Sequence, residues 1–338
     1  MENTNRHYIN RLTALWAFSE SGLGGMMHAL KIPFTGFFLG GFAIVILTLI
    51  AHHSRNRFSD IMQSTLLVIL VKAAASPQSP LMAYFAVGFQ GLCAALVFAA
   101  GKHVVSSAVF GGLALFESAV QKFITATVFF GKSIWQALDL LVAGIIKELH
   151  ITSDFSFSMW LIGIYTAVYT VWGIVLGVWA NRLPLHMHSD ADGLTQRMKD
   201  YALRNPPVKT EHNTTGRKVK WKLLTVFFSV LFIASVFVGT RNASHAVFVV
   251  MRTVAVLLAL YFIVSPLAGM LFRRWLKHKQ SGHTHKVKGI LDALPQLKLL
   301  TAPAMQFARS DHRGIRVYAY FVYNLIVLAL YYRSPEHE

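Results

Sequence analysis

The positions of the basic residues along this chain constrain its fold more than any other feature of the sequence. Long apolar runs alternate with short polar breaks, and lysine and arginine collect in every second break. The basic breaks lie at Arg6 and Arg11, Arg55 and Arg57, Lys102, 182–222 and 273–288. Membrane proteins retain positively charged residues on the cytoplasmic side, so these residues recur in every second polar break. A soluble fold has no reason to show this alternation. The pattern therefore predicts a multi-pass protein of the bacterial inner (cytoplasmic) membrane, with its N-terminus in the cytoplasm.

The composition agrees with a membrane protein and argues against other classes. The chain is 54% hydrophobic and only 14% charged, whereas a soluble domain is about one quarter charged. The formal net charge of +17 does not indicate a nucleic-acid partner, because the cations flank apolar spans. A single cysteine, Cys93, rules out an intrachain disulfide framework. No cleavable signal peptide is expected before the first span.

The apolar runs predict an all-α fold, because about 20 mostly apolar residues form a helix that crosses a bilayer. Six spans are expected first, followed by about three more. The predicted spans are 12–30, 34–52, 61–76, 81–101, 104–130, 157–180, 222–239, 246–272 and 316–332. The basic, proline-containing stretch 182–221 is interpreted as a cytoplasmic linker. It separates a six-span domain, 1–181, from a C-terminal membrane region, 222–338.

Two polar segments are too hydrophilic to cross a membrane, but their apolar residues recur at the spacing of a helix. The stretch 131–156 predicts an amphipathic helix that lies at the membrane interface or is partly inserted in the membrane. The segment 276–316 carries a leucine stripe, and Pro295 and Pro303 are expected to break it into short pieces. A basic helical segment of this kind suits the membrane surface or a groove on a partner protein.

Polar residues inside the predicted spans are candidates for function, because placing them in a bilayer is costly. The candidates are Glu20, Lys31, Lys72, Gln90, Glu117 and Gln121. The predicted topology puts the lysines towards the outside and the other groups deeper, which predicts a pocket for a small polar ligand. The alternative left open by the sequence is structural. The two glutamates would pair with lysines or cap helices, and the lysines would extend towards the interface.

Ala17, Ser21 and Gly25 form a stripe of small residues in the first span, four positions apart. Such a stripe lets another helix approach closely. The neighbouring helix could belong to this chain or to a second subunit, and the sequence does not separate these two interpretations.

Several apparent motifs carry no chemistry. Gly131-Lys132-Ser133 resembles the end of a phosphate-binding loop, but Ala126 stands where that loop needs glycine, and the preceding residues belong to a span. Two histidine pairs lie in predicted cytoplasmic loops without cysteine or carboxylate partners, and we interpret them as incidental. These pairs are His186 and His188, and His283 and His285. The sequence shows no candidate nucleophile and no group of metal-ligating residues. We therefore expect a protein that is not an enzyme and binds no cofactor or metal.

Six spans with both ends inside are accompanied by five short motifs. They are ESGLGG at 20–25, HALKIP at 28–33, GFFLGG at 36–41, SPLMAY at 79–84 and FQG at 89–91. In these features the first 180 residues resemble the substrate-binding (S) component of energy-coupling factor (ECF) vitamin transporters. The resemblance implies a six-helix bundle that binds a vitamin or similar molecule. It also implies that the stripe of Ala17, Ser21 and Gly25 docks on a transmembrane partner.

The C-terminal region resembles part of the transmembrane coupling (T) component of the same transporters. Ala308-Arg309-Ser310 follows the leucine-striped segment and precedes the last span, where T components carry a motif of the Ala-Arg-Gly/Ser type. The resemblance implies that Arg309 binds a groove on a pair of ABC-type ATPase subunits. The region is either a truncated T-like module fused to the binding domain or an unrelated anchor.

The function expected from these features is a membrane-embedded binding subunit, with a possible coupling role, of an ATP-driven uptake transporter. Its partners would be ATPase subunits, a possible separate coupling subunit, a small-molecule substrate and membrane lipid, but not nucleic acid. The alternative is a self-sufficient carrier that uses Glu20 and Glu117 as proton-coupling carboxylates. A membrane enzyme acting on lipid-linked substrates is the third and weakest class.

Overall fold

A computed structural model describes residues 2–23, 35–76, 79, 81–148, 156–204, 251, 265–314 and 316–332. Every regular element in these ranges is helical, which confirms the all-α prediction for this part of the chain. The elements are α1 (Glu2–Phe18), a π-helical segment (Ser19–Leu23), α2 (Thr35–His53), α3 (Arg57–Ala75), α4 (Leu81–Ala100), α5 (His103–Phe130), α6 (Ser133–Glu148), α7 (Phe157–Arg182), α8 (Pro184–Arg204), α9 (Ser265–Asp311) and α10 (Arg316–Tyr331).

Five of these helices are long and apolar enough to cross a membrane, which defines the chain as a multi-pass membrane protein. They lie where five of the spans were predicted. The spanning segments are Gly36–His53, Arg57–Ala75, Leu81–Ala100, His103–Val128 and Phe157–Arg182. A helix satisfies all of its backbone hydrogen bonds internally, so long apolar segments in lipid become helices.

The other predicted spans have different outcomes. The first, predicted at 12–30, is described only as far as Leu23. The helix α1 there runs from Glu2 to Phe18 and is not among the five spanning helices. The last corresponds to α10, which has only 16 residues and is too short to count among the spanning helices. The predicted span 222–239 and most of 246–272 lie outside the described residues.

By its contacts the chain divides into two compact units. The first comprises Met1–Ala119, Ala167–Pro207 and Leu271–Glu338, and the second comprises Val120–Thr166 and Val208–Met270. The predicted domain boundaries at 181 and 221 stay predictions, although the first unit takes residues from both sides of the predicted linker. In this unit α1 packs against α2 and α3, and α3 packs against α4.

In the first unit, α5 and α7 cross with their backbones in close contact. A Cβ atom on Gly173 would collide with the carbonyl group of Gly111, and one on Gly177 would collide with that of Ser107. Small residues four positions apart on both helices, at 107 and 111 and at 173 and 177, therefore permit this crossing. The stripe is present in the sequence, but its pairing appears only in the structure.

In the second unit, α6 is attached to the neighbouring helices by side-chain hydrogen bonds. The indole nitrogen of Trp135 donates to the Thr127 hydroxyl at 3.0 Å. The backbone N–H of Ser158 donates to the Asp139 carboxylate at 2.7 Å, so this carboxylate caps the start of α7. The bond from the Ser158 backbone, with further bonds from the Ser158 and Ser156 hydroxyls, holds the pKa of Asp139 below its usual range.

Within the predicted linker 182–221, the structure has the helix α8, which the sequence reasoning did not anticipate. One face of α8 is buried, and the other carries exposed charged residues. The buried residues are Met187, Ala191, Leu194 and Met198. Their spacing of three or four positions is that of an amphipathic helix, and α8 packs mainly on α10.

The prediction that Pro295 and Pro303 break the segment 276–316 is wrong. Both prolines lie inside α9, which continues for 47 residues. An interior proline costs a helix about 3 kcal/mol or more. The helix persists because an apolar stripe is buried along one side on both sides of the prolines. The stripe consists of Val287, Ile290, Leu297, Leu300, Ala304, Phe307 and Ala308.

Two arginines of the basic breaks bind carbonyl groups at helix ends. The Arg11 guanidinium donates to the carbonyl oxygens of Ala329 and Tyr332 at 2.9 and 2.8 Å, at the end of α10. Arg57 donates to the Phe98 carbonyl oxygen at 3.1 Å, near the end of α4. A cation at a helix C-terminus is favoured by the helix dipole and satisfies carbonyls that lack partners in the helix.

Candidate functional site

The candidate site begins where α1 changes into a π-helical segment at Ser19–Leu23. A π turn contains one extra residue, and such turns occur often at functional sites. Glu20 lies within this turn and is buried. Its carboxylate therefore needs a partner inside the protein, since an unpaired charge in a bundle is very costly.

That partner is Lys72, near the end of α3. The Lys72 ammonium nitrogen lies 2.7 Å from a carboxylate oxygen of Glu20, and the exposed fractions of the two side chains are 1% and 6%. The sequence nominated both residues separately, and the structure joins them into one buried ion pair. For Glu20 the sequence left open two roles, ligand binding and a structural pair with a lysine. The structure shows such a pair.

Polar groups surround this ion pair and bind the two helices to each other. The Ser76 hydroxyl donates to the Ser21 carbonyl oxygen at 2.8 Å. The Tyr84 hydroxyl of α4 donates in turn to the Ser76 carbonyl oxygen at 3.3 Å. The Lys72 ammonium also lies 5.8 Å from the centre of the Tyr84 ring, within the range of a cation–π contact. The site thus joins three elements: the π turn, the end of α3 and the start of α4.

Gln90 and Glu117 belong to the same compact unit as the ion pair. Gln90 is buried on α4, and its amide nitrogen lies 3.3 Å from the position that a Cβ on Gly40 would occupy. Glu117, on α5, is half-buried, and among the described residues its Oε2 atom is buried without a hydrogen-bond partner. The neighbouring Ser118 lies where a side chain on Gly36 would collide with it. The glycines of α2 therefore make room for polar groups of α4 and α5.

The two remaining candidates for the ligand site, Lys31 and Gln121, are not described together with the ion pair. Lys31 lies outside the described residues. Gln121 belongs to the second compact unit, where its carbonyl oxygen accepts a hydrogen bond from Thr125 at 2.7 Å. Its neighbour Lys122 donates to the Tyr165 hydroxyl at 2.9 Å in the same unit. The predicted pocket with all six residues stays a prediction.

The two described residues of the small-residue stripe, Ala17 and Ser21, face the interior of this chain. Ala17 is fully buried and Ser21 nearly so, and the Ser21 hydroxyl donates to the Ala17 carbonyl oxygen at 2.5 Å. Gly25 lies outside the described residues. For Ala17 and Ser21 the structure favours intramolecular packing over a docking face.

The Ala308-Arg309-Ser310 motif stands at the end of α9, where the three residues have different environments. Ala308 is fully buried, whereas Arg309 is exposed. Arg197 of α8 donates two hydrogen bonds to the Asp311 carboxylate, at 2.6 and 3.2 Å, and one to the Ser310 hydroxyl at 3.0 Å. The hydrogen bonds from Arg197 hold the pKa of Asp311 below its usual range.

Sequence reasoning missed Ser76, Tyr84 and the Arg197–Asp311 ion pair. Serine and tyrosine are common in membrane helices, and an ion pair between residues 114 positions apart leaves no local signal. In the ranges that the structure describes, no three histidine, cysteine, aspartate or glutamate side chains are grouped as a metal site requires.

Comparison of the chain with protein-family models, with curated proteins and with solved structures gave no match.

Proposed function

We propose that this chain is the membrane-embedded binding subunit of an ATP-driven uptake transporter of the ECF type, for a vitamin or similar small polar molecule. The observation that carries the proposal is the buried Glu20–Lys72 ion pair inside a bundle of apolar helices. Ionisable residues at such positions are rare in membrane proteins and mark substrate or ion pathways. The chain would lie in a bacterial cytoplasmic membrane with its N-terminus inside.

The chemistry around the pair suits a small polar ligand. The ion pair offers one acceptor and one donor of opposite charge, and Ser76 and Tyr84 add neutral hydrogen-bonding groups beside it. A ligand with polar groups of its own could exchange hydrogen bonds with this set without leaving a buried charge unpaired. An apolar ligand has no groups that could replace these hydrogen bonds.

The end of α9 supports the coupling part of the proposal. Arg309 is exposed while its neighbours on both sides are held, Ala308 by burial and Ser310 by Arg197. A guanidinium on a fixed helix end can make two directed hydrogen bonds to a carboxylate or carbonyl groove. We assign this role to Arg309, with ABC-type ATPase subunits as partners and a separate coupling subunit as a further member of the complex.

Replacing Arg309 by alanine should abolish ATP-dependent uptake and retention of the ATPase subunits, while ligand binding remains. Loss of a desolvated charge-assisted contact typically costs about 2–5 kcal/mol, enough to weaken assembly severely. The measurement is uptake, with ATPase co-purification, from cells that express the complete transporter. Lys288→Ala, which removes another exposed cation of α9, should leave both unchanged. Equal and mild effects of the two substitutions would contradict a coupling role.

A second candidate function is a proton-coupled secondary carrier, and Glu117 is the observation that favours it. Its buried Oε2 atom has no donor beside it in the described part of the chain. A carboxylate in that setting is costly to keep charged, so a proton is a natural partner for it. The same residue would then link solute movement to proton movement.

Energy dependence separates the two candidates. In a proton-coupled carrier, Glu117→Gln should abolish accumulation of the solute against a gradient, because glutamine cannot exchange a proton. Uptake would also stop with an uncoupler and continue when ATP is depleted. If the ECF proposal holds, ATP depletion should stop uptake, and Glu117→Gln should change only ligand affinity. The measurement is radiolabelled uptake in cells under each treatment.

A further inference from the structure

The two glutamates of the first compact unit differ in how their carboxylates are satisfied. Glu20 is paired with the Lys72 ammonium at 2.7 Å. The Oε2 atom of Glu117 is buried, and no residue in the described part of the chain donates a hydrogen bond to it. An ionised carboxylate only accepts hydrogen bonds, and burying one of its oxygens without a donor is costly. Of the two residues, Glu117 is therefore the one that needs a donor from elsewhere.

Glu117 lies on the side of α5 that packs against α4. On this side the Ser106 hydroxyl donates to the Val97 carbonyl oxygen at 3.0 Å. The centres of the Phe110 and Phe98 rings are 5.8 Å apart. Positions 106, 110 and 117 are separated by four and seven residues, so they share one face of a helix. The Glu117 side chain therefore starts from the face of α5 that contacts α4.

Gln90 lies on α4 at the level of Glu117. α4 ends at Ala100 and α5 begins at His103, so the two helices form an antiparallel hairpin. Glu117 is seven residues farther from the turn than Phe110, and Gln90 is eight residues farther from it than Phe98. Because Phe110 and Phe98 are in contact, the two polar residues lie at similar distances from the turn.

The surroundings of Gln90 leave room for a polar group. Gln90 is buried, and its amide nitrogen lies 3.3 Å from the position that a Cβ on Gly40 would occupy. The carboxylate of Glu117 interacts electrostatically with Cys93, which stands one turn after Gln90 on α4. A glutamine amide offers a carbonyl oxygen as a second acceptor. We call Glu117 and Gln90 together the acceptor site.

We propose that the acceptor site binds a positively charged N–H group of the transported molecule, so that the substrate is a small organic cation. An ammonium group or a protonated heterocycle supplies both the charge and the hydrogen bond that the Glu117 carboxylate lacks. An anion would add a second negative charge beside it. This inference rests on the proposed binding function and names its substrate class.

The test is isothermal titration calorimetry of the full-length protein in phosphatidylcholine nanodiscs, with empty nanodiscs as the blank. The probes are benzylamine, benzyl alcohol and benzoate, which share one ring and are cationic, neutral and anionic at neutral pH. Benzylamine should bind more tightly than the other two. Glu117→Gln should weaken benzylamine binding about ten- to hundredfold, the range for a hydrogen bond to a charged group. Asp292→Asn, which removes an exposed carboxylate of α9, should retain native affinity.

The melting temperature without any probe gives a second readout. Glu117→Gln should melt at the native temperature or above it, because the change removes a buried charge that has no donor. A carboxylate held by a partner within the chain would behave in the opposite way. A lower melting temperature for Glu117→Gln would therefore overturn the proposal.

The remaining outcomes separate this inference from the proposed function. Equal affinity for the three probes, or no binding of benzylamine, would overturn the cation preference. Benzylamine binding that survives Glu117→Gln would place the cation elsewhere and also overturn it. If uptake proves independent of ATP while benzylamine still binds through Glu117, the transporter type is wrong and the acceptor site is supported.

Discussion

Replacing Lys72 by methionine should destabilise the folded protein by about 3–5 kcal/mol, because it leaves the Glu20 carboxylate buried without its cation. The pair is shielded from water, so solvent cannot take the place of the ammonium group. The free energy of unfolding in mild detergent, measured by denaturant titration with a spectroscopic probe, would show the loss. The yield of monodisperse protein should fall in parallel.

The double variant Glu20→Leu/Lys72→Met distinguishes pairing from simple loss of packing. Removing both charges together leaves no unpaired ion, so stability should recover most of the way towards that of the native protein. Ligand binding should remain lost in the double variant, if the pair serves the ligand as proposed. Lys102→Met, at an exposed position beyond α4, serves as the control. A double variant no more stable than Lys72→Met would contradict a direct ion pair.

Leucine at Gly173 should separate α5 from α7 and destabilise the protein by about 3 kcal/mol. A side chain there meets the carbonyl group of Gly111 rather than a movable side chain, so the helices themselves must shift. Thermal unfolding in detergent, followed by circular dichroism, is the measurement. Even Gly173→Ala should lower the melting temperature, because the Cβ atom alone collides.

The matched control lies on the same helix. A Cβ atom on Gly163 of α7 meets nothing within 4 Å, so Gly163→Leu should leave the melting temperature nearly unchanged. Both variants make the same chemical change in a helix interior, and leucine has the higher helix propensity. Equal effects at the two positions would show that the crossing does not limit stability.

Local composition was enough to locate the five membrane spans. The cost of exposing backbone groups to lipid acts on each segment separately, so an apolar run predicts a helix without knowledge of its neighbours. The same reasoning identified Glu20 and Lys72 as unusual, because each is costly in a bilayer on its own. It could not say that they meet, since their positions are 52 residues apart.

Segments of mixed polarity were predicted less well. The prolines at 295 and 303 argued for a broken helix, yet the apolar stripe buried along α9 outweighs their local cost. The helix α8 was missed within a basic stretch, because only four of its residues are buried and the helix packs mainly on the distant α10. In both cases the deciding energy comes from contacts with distant parts of the chain.

The sequence by itself determined the class of the protein, five of its spans and most of its candidate polar residues. These depend on transfer of each segment from water to lipid, a property of the segment alone. Only the tertiary structure decided that Glu20 pairs with Lys72, that Arg11 binds the end of α10, and that Gly111 meets Gly173. These contacts join residues that are far apart in the chain, and helix packing selects them by shape and by the need to satisfy buried polar groups.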